Sequence, residues 1–428
     1  MQKFKVAKIK KGLVGTIEIP PDKSVSHRAV MLLSLAKGVS VIKNFSKALD
    51  PKSTLNLFSA LGAEYRYIDD KTVELNSKCG LHAPQNELYC GNSGTTMRLA
   101  AGILCGQNFN STLSGDESLS SRPMKRIIEP LTLMGAEIYS QNGKAPLRII
   151  GHKLYSADYA SQIASAQLKS AILLAGIQAK GKTIFEEPYK SRNHTELMLK
   201  YLGANLEIQG RKIIVEKSDI IPKNLEIIGD ISSAAFFIAA ALTIPNSDII
   251  LKNVGLNPTR TGILDVVKYM GGNIEILDTK EICGEIIGDL HVKYTEKLSG
   301  LEISGEIIPR LIDEIPIIAI LATQAEGETV VKDAQDLRNK ESDRISALCS
   351  ELIKLGVEIT ETPDGFKIAG KNKILGGCEL NSYKDHRLAM SFYIAGLIAQ
   401  KPVIITDFDC VNISMPEFLE LINLLCKS

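Results

Sequence analysis

Six times along the chain a short polar cluster runs straight into an alanine-rich apolar stretch, at residues 23–36, 92–104, 165–177, 230–242, 313–325 and 385–397. The starts are 69, 73, 65, 83 and 72 residues apart, close to one sixth of the 428-residue chain. A spacing this regular predicts one structural unit used repeatedly. Each stretch is apolar nearly all the way round, as expected of a helix that is buried in a core or spans a membrane. A span needs roughly 18 or more apolar residues, whereas the longest run here, 234–244, has 11 even with Thr243 counted. The six stretches are therefore predicted to be buried core helices.

A second series follows the first. Gly62, Gly135, Gly203, Gly271 and Gly356 recur at intervals of 73, 68, 68 and 85 residues, each between an amphipathic segment and an alternating one. Glycine just past a periodic helix reads as a C-cap, and alternation reads as a half-buried strand. One unit thus holds a buried helix, strands, a more exposed helix ending in Gly, and another strand. Six units exceed one domain but fit two domains of three. Pro20-Pro21 and the stretch around Pro222 bracket three units. The predicted division is 21–225 for one domain, and 1–20 with 226–428 for the other.

Composition narrows the function classes. Lys and Arg total 50 against 49 Asp and Glu, a net charge of +1, so nothing points to nucleic acid or a membrane as partner. The eight cysteines form no C-x-x-C pair and have no H-x-x-x-H companion. They read as buried free thiols of a reducing compartment rather than metal ligands. The basic residues 1–12 precede no apolar segment, so they do not read as a secretory signal, and a cytoplasmic location is expected.

One phosphate motif is rejected on context. Gly176 to Thr183 matches G-x-x-x-x-G-K-T, but that loop works only where a strand enters and a helix leaves. Here a helix enters and a strand-like segment leaves, so a Gly-Lys turn after a helix accounts for the match.

The polar starts carry the chemistry. Asp22 and Asp385 have the identity of N-caps. Lys23, Arg28, His386 and Arg387 put cations where a helix N-terminus favours anions. Solvated charges would explain any one of them; the same choice at two starts favours a bound anion. The second start, Gly91-Asn92-Ser93-Gly94-Thr95-Thr96-Met97-Arg98, offers close backbone approach and hydroxyls, although a Gly-rich capping turn is the commoner meaning. The third offers Ser165, Gln167 and Lys169. Between the fifth and sixth stretches lies Arg338-Asn339-Lys340-Glu341-Ser342-Asp343-Arg344. This is either a solvated, salt-bridged helix start or a clamp for phosphate and carboxylate with acids beside it for proton transfer. Asp313 is either a cap or a base.

Taken in order, these motifs resemble a known family over the full length of the chain. They are Asp22-Lys23-Ser24-x-Ser26-His27-Arg28, Gly91 to Arg98, Ser121-Arg122-Pro123-Met124, Ser165-Ala166-Gln167, Lys340-Glu341-Ser342-Asp343-Arg344 and Asp385-His386-Arg387. The family is 5-enolpyruvylshikimate-3-phosphate synthase, or 3-phosphoshikimate 1-carboxyvinyltransferase. Lys169, Arg192-x-His194-Thr195-Glu196 and Asn253-x5-Thr259-Arg260 further resemble its class II subgroup.

The resemblance implies a two-domain inside-out α/β barrel. Each domain would hold three βαββαβ repeats with buried parallel helices, and the active site would lie in the interdomain cleft. It implies transfer of the enolpyruvyl group of phosphoenolpyruvate to the 5-hydroxyl of shikimate 3-phosphate, by a monomer that needs no metal or organic cofactor. By motif position, Lys23, Ser24, Arg28, Ser165, Ala166, Gln167, Arg192, Asp313 and Lys340 would hold shikimate 3-phosphate. Lys23, Gly94, Arg122, Gln167, Arg344 and Arg387 would hold phosphoenolpyruvate. Asp313 would take the hydroxyl proton and Glu341 would protonate the methylene carbon, with Lys23 stabilising charge.

Two departures stand out. Ile413 occupies a position where many members have Lys, and Leu99 replaces a Pro. The alternatives are the related transferase acting on UDP-N-acetylglucosamine, and a non-catalytic binder of phosphorylated metabolites. The first typically carries a loop Cys where this chain has Gly115-Asp116-Glu117-Ser118. The second would leave Asp313 and Glu341 without a role.

Overall fold

Each polar cluster ends where a helix begins. The computed structural model, which describes residues 3–371 and 373–427, has buried helices at Lys23–Leu35, Gly94–Leu104, Ala166–Gly176, Ile231–Thr243, Ile315–Gln324 and His386–Ile398. Side chains of Asp22, Ser93, Ser165, Asp230 and Asp385 accept from backbone N–H groups of the first turn in five of them. The fifth differs: Glu314 takes the capping position without a side-chain cap bond, and Pro316 sits in the first turn. Proline costs nothing there because its missing N–H would be unpaired anyway. The bodies are buried almost throughout, as their sequence requires; in Ile231–Thr243 only Thr243 is not fully buried.

The more exposed helices Leu49–Ala60, Lys125–Leu133, His194–Tyr201, Gly262–Tyr269 and Arg344–Lys354 each end just before one of the recurrent glycines. Gly62, Gly135, Gly203, Gly271 and Gly356 have φ of +103°, +87°, +86°, +80° and +82°. Such angles cost a side chain about 1–2 kcal/mol, which explains why Gly recurs there.

The chain divides into two units. One comprises Pro21–Ile228 and Glu281–Glu285; the other comprises Met1–Pro20, Gly229–Lys280 and Ile286–Ser428. The predicted division at 225/226 thus falls three residues later, and a short segment near 283 joins the first unit. Strand exchange explains the later boundary. Leu225–Glu226 immediately precedes the fourth buried helix, yet it pairs in parallel with Val39–Lys43 of the first unit. Val14–Glu18 precedes the first buried helix, yet it pairs in parallel with Asp248–Gly255 of the second.

Among the described residues, three four-stranded sheets lie in the first unit; two four-stranded and one three-stranded sheet belong to the second, beside a small two-stranded one. The buried helix forms the crossover of a parallel pair, as in Leu88–Tyr89 with Ser111–Ser114 and Glu302–Ile303 with Thr329–Val331. Other pairings are antiparallel, for example Ser111–Ser114 with Lys144–Ile150 and then Lys144–Ile150 with Glu137–Gln141. Within each unit the buried helices pack on one another with the sheets around them, which gives the expected inside-out α/β arrangement.

The order inside a repeat differs from the expected βαββαβ. It runs strand, helix, strand, helix, strand, strand, because the alternating segment after each Gly folds back as a hairpin. Asn142 and Gly143, at φ +53° and +72°, make one such turn, and Asn-Gly is the residue pair this turn favours. The thiols also differ from expectation. All eight are free, but only Cys90, Cys105, Cys349 and Cys410 are buried, and Cys79 is exposed. Among the described residues no helix is long and apolar enough to cross a membrane.

Candidate active site

In the first unit the misplaced cations are held rather than solvated. Lys23 Nζ donates to Asp50 Oδ2 at 3.0 Å. Arg28 is buried; its guanidinium donates to Thr195 Oγ1 at 2.7 Å, Ser170 Oγ at 2.9 Å and the Ser24 carbonyl at 2.9 Å. His27, between them, is fully enclosed. Burial, and then the charges of Lys23 and Arg28, hold its pKa well below the usual 6.5, so the imidazole is neutral at pH 7. Its Nδ1 opens a buried chain to Thr54 Oγ1 at 2.6 Å, Thr96 Oγ1 at 2.7 Å and Ser93 Oγ at 2.8 Å. Hydroxyls thus tie the first helix start to the second.

The second start brings Gly94, Arg122 and Gln167 together, and adds Arg98. A Cβ on Gly94 would stand 3.0 Å from Arg98 Nη1 and 3.4 Å from Arg122 Nη1, so the missing side chain leaves the space beside two guanidinium groups unfilled. Arg98 Nη1 donates to Gln167 Oε1 at 2.5 Å, and Gln167 Nε2 donates to Thr95 Oγ1 at 3.0 Å. Arg122 Nη2 donates to Asn92 Oδ1 at 2.7 Å and Ser118 Oγ at 3.1 Å. Both arginines are about 6% exposed. Ser165 caps the third helix and Ala166 is its first residue, while Arg192 lies just before the helix His194–Tyr201.

The second unit gathers the acids. Arg344, 2% exposed, donates to Asp313 Oδ1 at 3.1 Å, Glu341 Oε2 at 2.6 Å and Asp385 Oδ2 at 2.8 Å. Burial works against its charge, but Asp385, Glu341 and Asp313 outweigh that and raise its pKa above the ordinary value. Lys340 Nζ stands 3.5 Å from Asp313 Oδ1. Asp313 is therefore no cap: its carboxylate faces two cations. Charge run 338–344 divides between the two readings. Arg344 is enclosed, whereas Arg338 is partly exposed and pairs with Asp343 and Glu361 as a solvated charge would.

Arg387 belongs to a separate cluster. Its Nη1 donates to the Ser232 carbonyl at 3.3 Å and lies 3.8 Å from Glu314 Oε1. Arg260 Nη2 donates to Ser232 Oγ at 2.6 Å and Asp230 Oδ1 at 3.1 Å. The fourth helix start, where Asp230 caps, thus also helps seat the Arg387 guanidinium.

Sequence reasoning missed Arg98 as a site residue although its motif was in view; its position four residues after Gly94, on one helix face, was the available signal. Asp50 and Glu314 carried none, since only the fold brings them to Lys23 and Arg387. At the position of the absent Lys, Ile413 packs against the core. Leu99 is fully buried inside its helix.

A family model described as EPSP synthase (3-phosphoshikimate 1-carboxyvinyltransferase) matches residues 7–422. A 3-phosphoshikimate 1-carboxyvinyltransferase of Thermodesulfovibrio yellowstonii is 52% identical over 99% of this chain and 100% of its own length. The protein of that name from Petrotoga mobilis is 52% identical over 95% of each chain. The solved structure of EPSP synthase from Acinetobacter baumannii superposes with a TM-score of 0.88 at 40% identity, covering 99% of this chain and 98% of that one. At 16% identity and a TM-score of 0.81, covering 98% of this chain and 96% of the other, the enolpyruvyl transferase NikO from Streptomyces tendae shares the fold.

Proposed function

The chain belongs to the EPSP synthase (3-phosphoshikimate 1-carboxyvinyltransferase) family, and on that premise we propose how its residues divide the reaction. The enzyme transfers the enolpyruvyl group of phosphoenolpyruvate to shikimate 3-phosphate, a step of aromatic amino acid biosynthesis. Both substrates carry phosphate and carboxylate groups, which accounts for cations at helix starts that otherwise favour anions.

Shikimate 3-phosphate is held by Lys23, Ser24, Arg28, Ser165, Ala166, Gln167, Arg192 and Lys340. Phosphoenolpyruvate is held by Lys23, Arg122, Gln167, Arg344 and Arg387, with Gly94 leaving it room. Asp313 accepts the proton of the 5-hydroxyl as that oxygen bonds to C2 of phosphoenolpyruvate. Glu341 delivers a proton to C3, which becomes a methyl group. The tetrahedral adduct then loses phosphate while a methyl proton leaves to a base, which restores the enol ether. Two positioned carboxyl groups with opposite proton duties supply general acid–base catalysis, and the cations stabilise charge on the adduct.

The observation that carries this reading is the arrangement of Asp313 and Glu341 on the one guanidinium of Arg344, at 3.1 and 2.6 Å. It holds both acids beside a cation that an incoming phosphate or carboxylate competes for. A coupled phosphate-release assay tests the reading: release from phosphoenolpyruvate is expected only with shikimate 3-phosphate present. Release with UDP-N-acetylglucosamine in its place would overturn it. The enzyme is further read as a cytoplasmic monomer. Its eight free thiols suit a reducing compartment, and sedimentation equilibrium checks the assembly state.

A further inference from the structure

Lys169, Glu187 and Glu196 take no part in the scheme above, yet they form a fully enclosed ion cluster in the first unit. The Lys169 side chain is 1% exposed and both glutamates are 2% exposed. Lys169 Nζ reaches Glu187 Oε1 at 2.9 Å, Glu196 Oε1 at 2.7 Å and the Ser191 carbonyl at 3.1 Å. Three ammonium donors meet three acceptors. The Ser191 hydroxyl donates to Glu187 Oε2 at 2.6 Å, so the hydroxyl and the carbonyl of the residue before Arg192 are both anchored to the cluster.

The residues next to Lys169 and Glu196 on the same two helices hold Arg28. Ser170 and Thr195, the neighbours of Lys169 and Glu196, share a hydrogen bond of 2.6 Å. Their hydroxyls also take Arg28 Nη2 at 2.9 Å and Nε at 2.7 Å. The ion pair therefore locks the register of the helices Ala166–Gly176 and His194–Tyr201 at the level where Arg28 is seated. Stability alone does not explain the cluster. One cation faces two buried carboxylates, Glu196 Oε2 has no hydrogen-bond partner, and apolar side chains of similar volume commonly do as well or better in such places.

We propose that Lys169, Glu187 and Glu196 are positioning residues for recognition of shikimate 3-phosphate, fixing Arg28 through the helix pair and Arg192 through Ser191. This rests on the reading that Arg28 and Arg192 bind shikimate 3-phosphate. A geometric error near 1 Å at such a site costs up to about a hundredfold.

Steady-state kinetics on the full chain test the proposal. Ser191→Ala removes one bond of the cluster and no charge; Lys169→Met combined with Glu187→Gln and Glu196→Gln removes all three charges together, so that no buried carboxylate is left without its cation. Both are expected to raise KM for shikimate 3-phosphate about tenfold, while kcat, KM for phosphoenolpyruvate and Tm stay near those of the parent. Combining Ser191→Ala with Arg192→Ala should add little to Arg192→Ala alone, because both act through one contact. If Arg192→Ala raises that KM and neither cluster variant does, the positioning role is overturned. The role is equally overturned if both KM values rise together with a fall in Tm. If Arg28→Ala and Arg192→Ala leave KM for shikimate 3-phosphate unchanged, the underlying assignment fails and the proposal with it.

Discussion

Arg344 Nη1 lies 3.1 Å from Asp313 Oδ1, across 31 residues of chain. The contact turns an aspartate with the sequence position of a helix cap into a carboxylate facing cations. Asp313→Ala is accordingly expected to lower kcat by about 10²–10⁴, with a smaller change in KM for phosphoenolpyruvate. Single-turnover phosphate release measures the chemical step directly, and full turnover by the variant would remove Asp313 from the mechanism.

Gly94 lacks a side chain where Arg98 and Arg122 converge. In Gly94→Ala the new methyl stands 3.0 and 3.4 Å from their Nη1 atoms, tighter than ordinary contact, and takes ligand space. KM for phosphoenolpyruvate should rise about tenfold or more, with that for shikimate 3-phosphate little changed. Arg122→Ala should weaken phosphoenolpyruvate in the same assay by removing charge instead of space. Unchanged KM in both variants would take this pair out of the phosphoenolpyruvate site.

Asp385 is fully buried and serves three partners: the Arg387 N–H at 2.9 Å, Arg344 Nε at 2.8 Å and Ser342 Oγ at 3.1 Å. Removing it leaves a buried guanidinium partly uncompensated. Asp385→Ala should cost about 3–5 kcal/mol in urea unfolding, well above the roughly 1 kcal/mol of a lost cap alone. A loss at the lower figure would show that Asp385 does no more than cap its helix.

His27 makes stability depend on pH. Burial, with Lys23 and Arg28, lowers its folded pKa well below 6.5. As pH falls through about 6.5, the unfolded chain gains a proton that the folded one does not take. Stability contributed by the neutral imidazole is therefore present above that pH. It is lost on acidification at up to about 1.4 kcal/mol per pH unit, until the folded pKa is reached. Urea midpoints between about pH 7 and pH 5.5 should fall less for His27→Asn than for the parent. An equal fall would mean that His27 does not titrate this way.

The repeat was legible because its signals are local. Helix bodies such as 234–244 are apolar on every face, so no reading except burial suits them. The glycines after the outer helices announce left-handed turns through the lack of a Cβ. Hairpins such as the one at Asn142-Gly143 read as single strands in the sequence, since alternation looks the same before and after a two-residue turn. The site residues were visible only where they cluster in sequence, as Lys340 to Arg344 do, or fall in motifs.

The sequence by itself therefore determined six buried helices, their polar starts and the sign of the charges placed there, because periodicity and charge sign act over a few residues. Tertiary structure decided which charges meet. It paired Lys23 with Asp50, drew Asp313 and Glu341 to Arg344, and set Glu314 beside Arg387. It also sent Leu225–Glu226 and Val14–Glu18 to sheets away from the helices they precede. Such choices depend on the packing of whole helices and on the cost of leaving a buried charge without a partner, and neither is written in any short stretch of chain.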